Sequence, residues 1–188
     1  MTWKLRRATE ADLDPIMQLE TSTFGTDAWT PTAMLSDLRS RHCYYLVAER
    51  VDEPAIIDGA VPIDGAVPID GAVPIGGAVP IDGYAGLFAP EGAQEGDIQT
   101  IAVAASARRA GLGRTLMQAL IAEATRRGAR ELFLEVRADN PHAQHLYETL
   151  GFVEIAVRVG YYQPDGVDAN VMRLEIEKPR LRPAVGQE

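Results

Sequence analysis

A strand that runs through a glycine turn into a helix constrains this chain more than any other feature. Ile98-Gln-Thr-Ile-Ala-Val103 reads as the strand and Arg108-Arg-Ala-Gly-Leu-Gly113 as the turn. An apolar stripe of Leu112, Leu116, Leu120 and Ile121 marks the helix, which stops at Gly128. Glycine at 111 and 113 leaves the first-turn amides without side-chain cover, and the helix dipole adds about half a positive charge at that end. Arg108, Arg109 and Arg114 bring cations to this point of a chain whose formal net charge is −9. The arrangement suits a pyrophosphate, although glycines also serve plain tight turns and a basic pair also serves as a solvated loop.

Around this unit the sequence alternates strand and helix signals. Trp3–Ala8 alternates as a strand, and Thr9 with Asp12, ahead of Ile16 and Leu19, reads as a capped first helix. Thr30-Pro31 starts a second helix, with Met34, Leu35 and Leu38 on one face. Strands are expected at Tyr44–Glu49, Tyr84–Ala89, Asp97–Val103 and Glu131–Val136. A helix capped by Asn140, with Pro141 at its first position, precedes two last strands at Phe152–Val159 and Ala169–Ile176. At 188 residues, 46% hydrophobic and 24% charged, the chain suffices for one buried core. The reading is one mixed α/β domain over 1–178, a loop insert at 54–83 and a polar tail at 179–188.

The insert is a hexapeptide repeat. Ile-Asp-Gly-Ala-Val-Pro begins at Ile57, Ile63 and Ile69, varies to Ile75-Gly-Gly-Ala-Val-Pro80, and restarts as Ile81-Asp-Gly83. A β-helix needs more stacked units than this, and a proline in every repeat removes ladder donors. A low-complexity loop between antiparallel strands is the better account. Lengthening such a loop costs only about 0.6 kcal/mol per doubling.

Two further runs decide the class. Leu132-Phe-Leu-Glu-Val-Arg-Ala-Asp-Asn140 and Asn140-Pro-His-Ala-Gln-His-Leu-Tyr-Glu-Thr-Leu-Gly-Phe152, together with the glycine turn, resemble the GNAT superfamily of acyl-CoA-dependent N-acyltransferases. With Tyr161-Tyr162 and Pro164-Asp-Gly-Val-Asp168-Ala169 they are similar to its RimI family, which acetylates the N-terminal amine of a ribosomal small-subunit protein and, in some members, other protein N-termini. The resemblance implies the GNAT fold, a central mixed sheet flanked by helices. It also implies acetyl-CoA as co-substrate, no metal, and direct attack by the amine in a ternary complex.

Residue by residue, the resemblance makes Glu135 the general base, directly or through water, and Tyr147 the acid that protonates the thiolate. On residue type alone Glu135 lies in an apolar strand that favours a base, or is a groove carboxylate paired with Arg137 or another cation. Tyr147 shares a helix face with Ala143, Leu146 and Leu150 and is equally a core tyrosine with a satisfied hydroxyl. Cofactor contacts are expected from the backbone of Ile101, Ala102 and Val103, from Arg108, Arg109, Ala110, Gly111, Leu112, Gly113 and Arg114, and from Asn140, which also caps a helix. Ala104-Ala105-Ser106 stands where many relatives carry a proline-containing turn. Acceptor walls are expected from Phe24, Trp29, Tyr161, Tyr162 and Asp168, whose plainer roles are edge packing and turn formation. An α-amine with a pKa of roughly 8 is a more accessible nucleophile at neutral pH than lysine near 10.4.

Composition excludes some classes. The acidic balance argues against nucleic-acid binding and suits a basic protein partner. A single cysteine, Cys43, forms no internal disulfide and reads as a small apolar residue. No apolar run is long enough to span a bilayer, so the expectation is a cytoplasmic protein with no membrane partner. His142 and His145 lack the companions that a metal site needs. The expected protein is a monomer or part of a complex with a processing partner. Rival readings are a GNAT enzyme for lysine side chains or small amines, and a non-catalytic CoA-binding module.

Overall fold

In the computed structural model, residues 2–51 and 80–176 are described. One seven-stranded sheet runs in the order β1-β2-β3-β4-β5-β7-β6. Its strands are β1 (Thr2–Arg7), β2 (Cys43–Val51), β3 (Gly83–Phe88), β4 (Glu95–Val103), β5 (Glu131–Arg137), β6 (Val153–Tyr162) and β7 (Val167–Glu175). The helices are α1 (Leu13–Phe24), α2 (Pro31–Arg39), α3 (Leu112–Arg127) and α4 (Pro141–Glu148). Neighbouring strands pair antiparallel except β4 with β5, which run parallel and are joined through α3.

Alternation along β2 shows why helices cover both faces. Leu46 and Ala48 join the layer beneath α3, with Leu112, Leu116, Met117, Leu120, Leu132 and Leu134. Tyr45 and Val47 turn the other way, towards Ile16 of α1 and Met34 of α2. With strand side chains repeating every two residues, only helices on both sides bury both sets.

Local chemistry sets the helix ends much as the residues suggest. The Thr9 amide donates to Asp12 Oδ2 at 2.8 Å, and Arg6 grips the same carboxylate at 2.6–2.8 Å. A single helical turn, Glu10–Asp12, therefore precedes α1. Thr30 Oγ1 accepts from the Ala33 amide and Pro31 opens α2. Gly128, at φ 102°, ends α3 by sending its N–H back to Ala124 and Thr125.

The repeat divides at its last copy. Residues 52–79 and the expected tail at 179–188 lie outside the described residues. Pro80–Gly83, which the sequence assigns to the insert, belongs to the fold. Ile81 is buried in the layer beneath α1 and α2, and Gly83 opens β3. Asp82 accepts from Trp3 Nε1 and Arg50 Nε, both at 2.8 Å. By sequence Ile81-Asp-Gly83 is one more copy, and its packing places it in the fold. A Cβ on Gly83 would lie 3.0 Å from the Ala102 carbonyl oxygen and 3.1 Å from Leu112, so α3 closes over a bare backbone there. The Asp82 carbonyl accepts from the Ala104 amide, which sets the insert's exit beside the glycine turn.

Candidate active site

The site begins where two strands part. β4 and β5 pair only at Glu95↔Glu131, Gly96↔Leu132 and Asp97↔Phe133. Beyond Asp97 the β5-facing edge of β4 has no ladder partner. A bulge drives the divergence: Gly86 pairs with Thr100 and Leu87 with Ile98, so Gln99 is an extra residue that sharpens the local twist. The wedge between them is a cleft of about 180 Å³. Ile101, Glu135, Asn140, Tyr147 and Tyr162 line it, and Phe24, Asp27 and Trp29 face them from the α1–α2 side.

A groove of about 700 Å³ continues between the start of α3 and α4. Val103, Arg108, Arg109, Gly111, Gly113 and Arg114 line it, opposite His142, Ala143, His145 and Leu146. Gly111 is the residue before α3 and adopts φ 93°, a left-handed conformation that glycine alone enters freely. Arg109 also lies left-handed, at φ 62°, so the turn is held against a local backbone cost. Arg108 Nε donates to the Val103 carbonyl at 3.0 Å, pinning the loop to the end of β4. Arg114 donates to Thr149 Oγ1 at 2.6 Å, fastening α3 to the end of α4. A helix N-terminus and three guanidinium groups thus share one groove, an arrangement whose charge and open amides suit a polyanion.

The two proton-handling candidates meet in the cleft. The apolar setting expected for Glu135 is not found, because strand alternation turns Leu134 and Val136 to the α3 face and leaves Glu135 on the cleft face. There it pairs with Arg158 of β6, Oε1 to Nη1 at 3.1 Å, rather than with Arg137. Tyr147 is 7% exposed and packs its ring 6.0 Å from that of Phe152. Burial pushes its phenol up from the ordinary tyrosine value. Among the described residues its hydroxyl has no hydrogen-bond partner, although the residue lines the cleft. It is a core ring with a free polar tip.

The other candidates divide. Ala102 and Val103 line a third cavity, of about 550 Å³, that joins the mouth of the cleft. Asn140 uses Oδ1 to cap α4 through the Ala143 amide at 3.1 Å and also lines the cleft. Tyr162 is pushed up to about 12 by burial and by the neighbouring Tyr161 and Glu135. The structure does not bring Tyr161 and Asp168 into the cleft. Tyr161 is 48% exposed, edge-on to Tyr162, and Asp168 accepts the Gly160 amide at 2.7 Å within the β6–β7 hairpin. Leu112 buries its side chain in the core, so only its backbone is available to a ligand, and Ala110 stands exposed. Among the described residues no group of three His, Cys, Asp or Glu side chains suits a metal ion. Likewise no helix there is long and apolar enough to cross a membrane.

The residues alone did not single out Glu20 and Arg158, and offered Arg137 only as a partner for Glu135. Glu20, 1% exposed, lines the cleft and accepts from the Trp29 amide at 2.9 Å and from the Tyr84 hydroxyl. Burial raises its pKa. Its place four residues after Ile16, on the inward stripe of α1, is the signal that marks it. Arg137 reaches three carboxylates, and of these only Asp139 lies near it in sequence.

Residues 13–152 match the acetyltransferase (GNAT) family. The chain is 30% identical over 174 residues to the N-alpha-acetyltransferase RimI of Mycobacterium tuberculosis, covering 91% of each protein. It is 48% identical over 84 residues to the [ribosomal protein bS18]-alanine N-acetyltransferase of Escherichia coli strain K12, which is 44% of this chain. That match spans 57% of the relative's length. The crystal structure of the ribosomal-protein-S18-alanine N-acetyltransferase from Escherichia coli superposes with a TM-score of 0.70 at 25% identity, covering 96% of this chain and 99% of that one. With the parted strands, the bulge and the glycine turn ahead of α3 in place, the chain belongs to the acetyltransferase (GNAT) family.

Proposed function

We propose that this protein transfers the acetyl group of acetyl-CoA to the N-terminal α-amine of a protein, with a ribosomal small-subunit protein as the acceptor. The observation that carries the reading is that the glycine-turn groove and the cleft holding Glu135 and the unpartnered hydroxyl of Tyr147 share Ala143, and both share lining residues with the cavity at Ile101–Val103. Relatives over most or part of the chain bear names for this activity.

The first-turn amides at Leu112–Arg114, with Arg108 and Arg109, receive the pyrophosphate. The free edge of β4 at Ile101–Val103 and the lining residue Asn140 hold the pantetheine arm, and a β4 amide polarises the thioester carbonyl. Glu135 takes a proton from the attacking amine, directly or through water, while the new C–N bond forms. As the tetrahedral adduct collapses, the C–S bond breaks and the Tyr147 hydroxyl protonates the departing thiolate. Attack is direct, in a ternary complex. The Phe24–Trp29 segment and Tyr162 wall the acceptor, and Tyr161 and Asp168 support them from the hairpin.

A library of N-terminal peptides incubated with acetyl-CoA and read by mass spectrometry tests the proposal. Acetylation confined to free α-amines supports it. Acetylation confined to lysine side chains or small amines refutes it.

A further inference from the structure

Arg137, the last residue of β5, joins three segments that are remote in sequence. Its Nη1 donates to Asp27 Oδ2 at 2.8 Å and its Nη2 to Asp165 Oδ2 at 2.8 Å. Nε and Nη2 together grip Asp139 at 3.0 Å. The guanidinium also lies over the Tyr162 ring, 5.1 Å from its centroid. Asp27 closes the helical turn between α1 and α2, Asp139 lies between β5 and α4, and Asp165 lies in the turn between β6 and β7. Asp27, Arg137 and Asp165 line the mouth of the cleft.

We infer that Arg137 is a latch for the acceptor cleft, a positioning residue that holds the α1–α2 turn and the β6–β7 turn in register. The inference rests on the cleft's acceptor role proposed above. Without the guanidinium the three carboxylates repel one another and both walls lose their common anchor. Lysine offers a single point charge and cannot serve a fork of three partners. Each pair is partly open to water and individually weak, so the latch can release and its hold weakens with salt. Arg137, Asp27 and Asp165 share a cavity with Ile101–Val103 and Asn140, but neither they nor Asp139 line the glycine-turn groove, so the pyrophosphate end of acetyl-CoA, which anchors its affinity, lies outside the latch.

The test uses the full chain with Arg137→Met and Arg137→Lys. In Arg137→Met the KM for an acceptor peptide rises about tenfold, as expected for a lost positioning contact. The calorimetric Kd for acetyl-CoA stays within about twofold, and lysine restores little of the loss. The peptide KM of the wild type climbs more steeply with added salt than that of Arg137→Met. Hydrogen exchange then reports the walls independently of activity: amides of 25–28 and of 163 and 165–167 exchange faster together in Arg137→Met, while β5 and β7 hold. Unchanged exchange at both turns, exchange at one turn alone, or an acetyl-CoA affinity that falls as far as the peptide's overturns the inference. A wild type that acetylates no peptide refutes the acceptor reading instead, and the paired exchange still decides the latch.

Discussion

A Cβ built on Gly113 meets Leu146 Cδ2 at 3.4 Å and Val103 Cγ2 at 3.9 Å, ordinary contact distances, so the fold has room for a larger residue there. Those neighbours line the groove assigned to the pyrophosphate, and a branched side chain would stand where phosphate must approach backbone. Gly113→Val therefore separates folding from cofactor binding. Valine in the first turn is at least as good a helix former as glycine, by a few tenths of a kcal/mol, so the melting temperature should hold or rise slightly. Losing one charged hydrogen bond to phosphate costs about 1.5–3 kcal/mol, which weakens CoA binding roughly tenfold to a hundredfold. Gly111→Ala is the contrasting variant. At φ 93° an alanine is strained by about 1–2 kcal/mol, so it lowers stability as well. Calorimetry with CoA and thermal melts by circular dichroism give both quantities. Undiminished CoA affinity in a folded Gly113→Val protein would refute the placement of the cofactor.

Further outcomes follow from the same geometry. Glu135→Gln and Tyr147→Phe should each lower kcat by about 10²–10⁴-fold with little change in the KM for acetyl-CoA, in steady-state kinetics on folded protein. Leu116→Ala, at a fully buried position beneath α3, should cost about 2–5 kcal/mol in denaturant unfolding. Asp12 and Glu20 should give opposite pH slopes. Arg6 holds the Asp12 carboxyl low, so its stabilisation is present above the unfolded carboxylate range and lost as pH falls through the folded value; Asp12→Asn should cost stability at neutral pH and converge with wild type in acid. Burial raises Glu20, so the folded state holds its proton longer and stability falls as pH rises through the folded value; Glu20→Gln should remove that slope. Excising 58–79 behind a short turn should leave the melting temperature unchanged, whereas excision through 82 removes buried Ile81 and the Asp82 partners of Trp3 and Arg50 and should lower it.

Sequence periodicity carried most of the elements because their causes are local. Pro31 and Pro141 behind Thr30 and Asn140 open α2 and α4, and Gly128 ends α3, each within a residue or two of its expected place. The setting of Glu135 was legible only in part. Its neighbours in sequence are apolar, but β alternation turns them away, and its partner Arg158 comes from a strand reached through β7. Tyr147 is the core ring its helix face suggests, but among the described residues it lacks the satisfied hydroxyl of a plain core tyrosine. Arg137 and Glu20 depend on tertiary partners up to 110 positions away, which no local pattern encodes. The last repeat copy shows the same limit: nothing in Ile81-Asp-Gly83 itself announces the contacts that α3 and β1 make with it.

Two bisubstrate conjugates distinguish α-amine from lysine acetylation in a ternary complex. One joins the CoA sulfur through an acetyl linker to the α-nitrogen of a short peptide, and the other joins it to a lysine ε-nitrogen of the same peptide. Calorimetry on the wild-type protein should find the α-linked conjugate bound at least about tenfold tighter, with both the groove and the acceptor cleft engaged. Equal affinities, or preference for the ε-linked conjugate, would contradict the account.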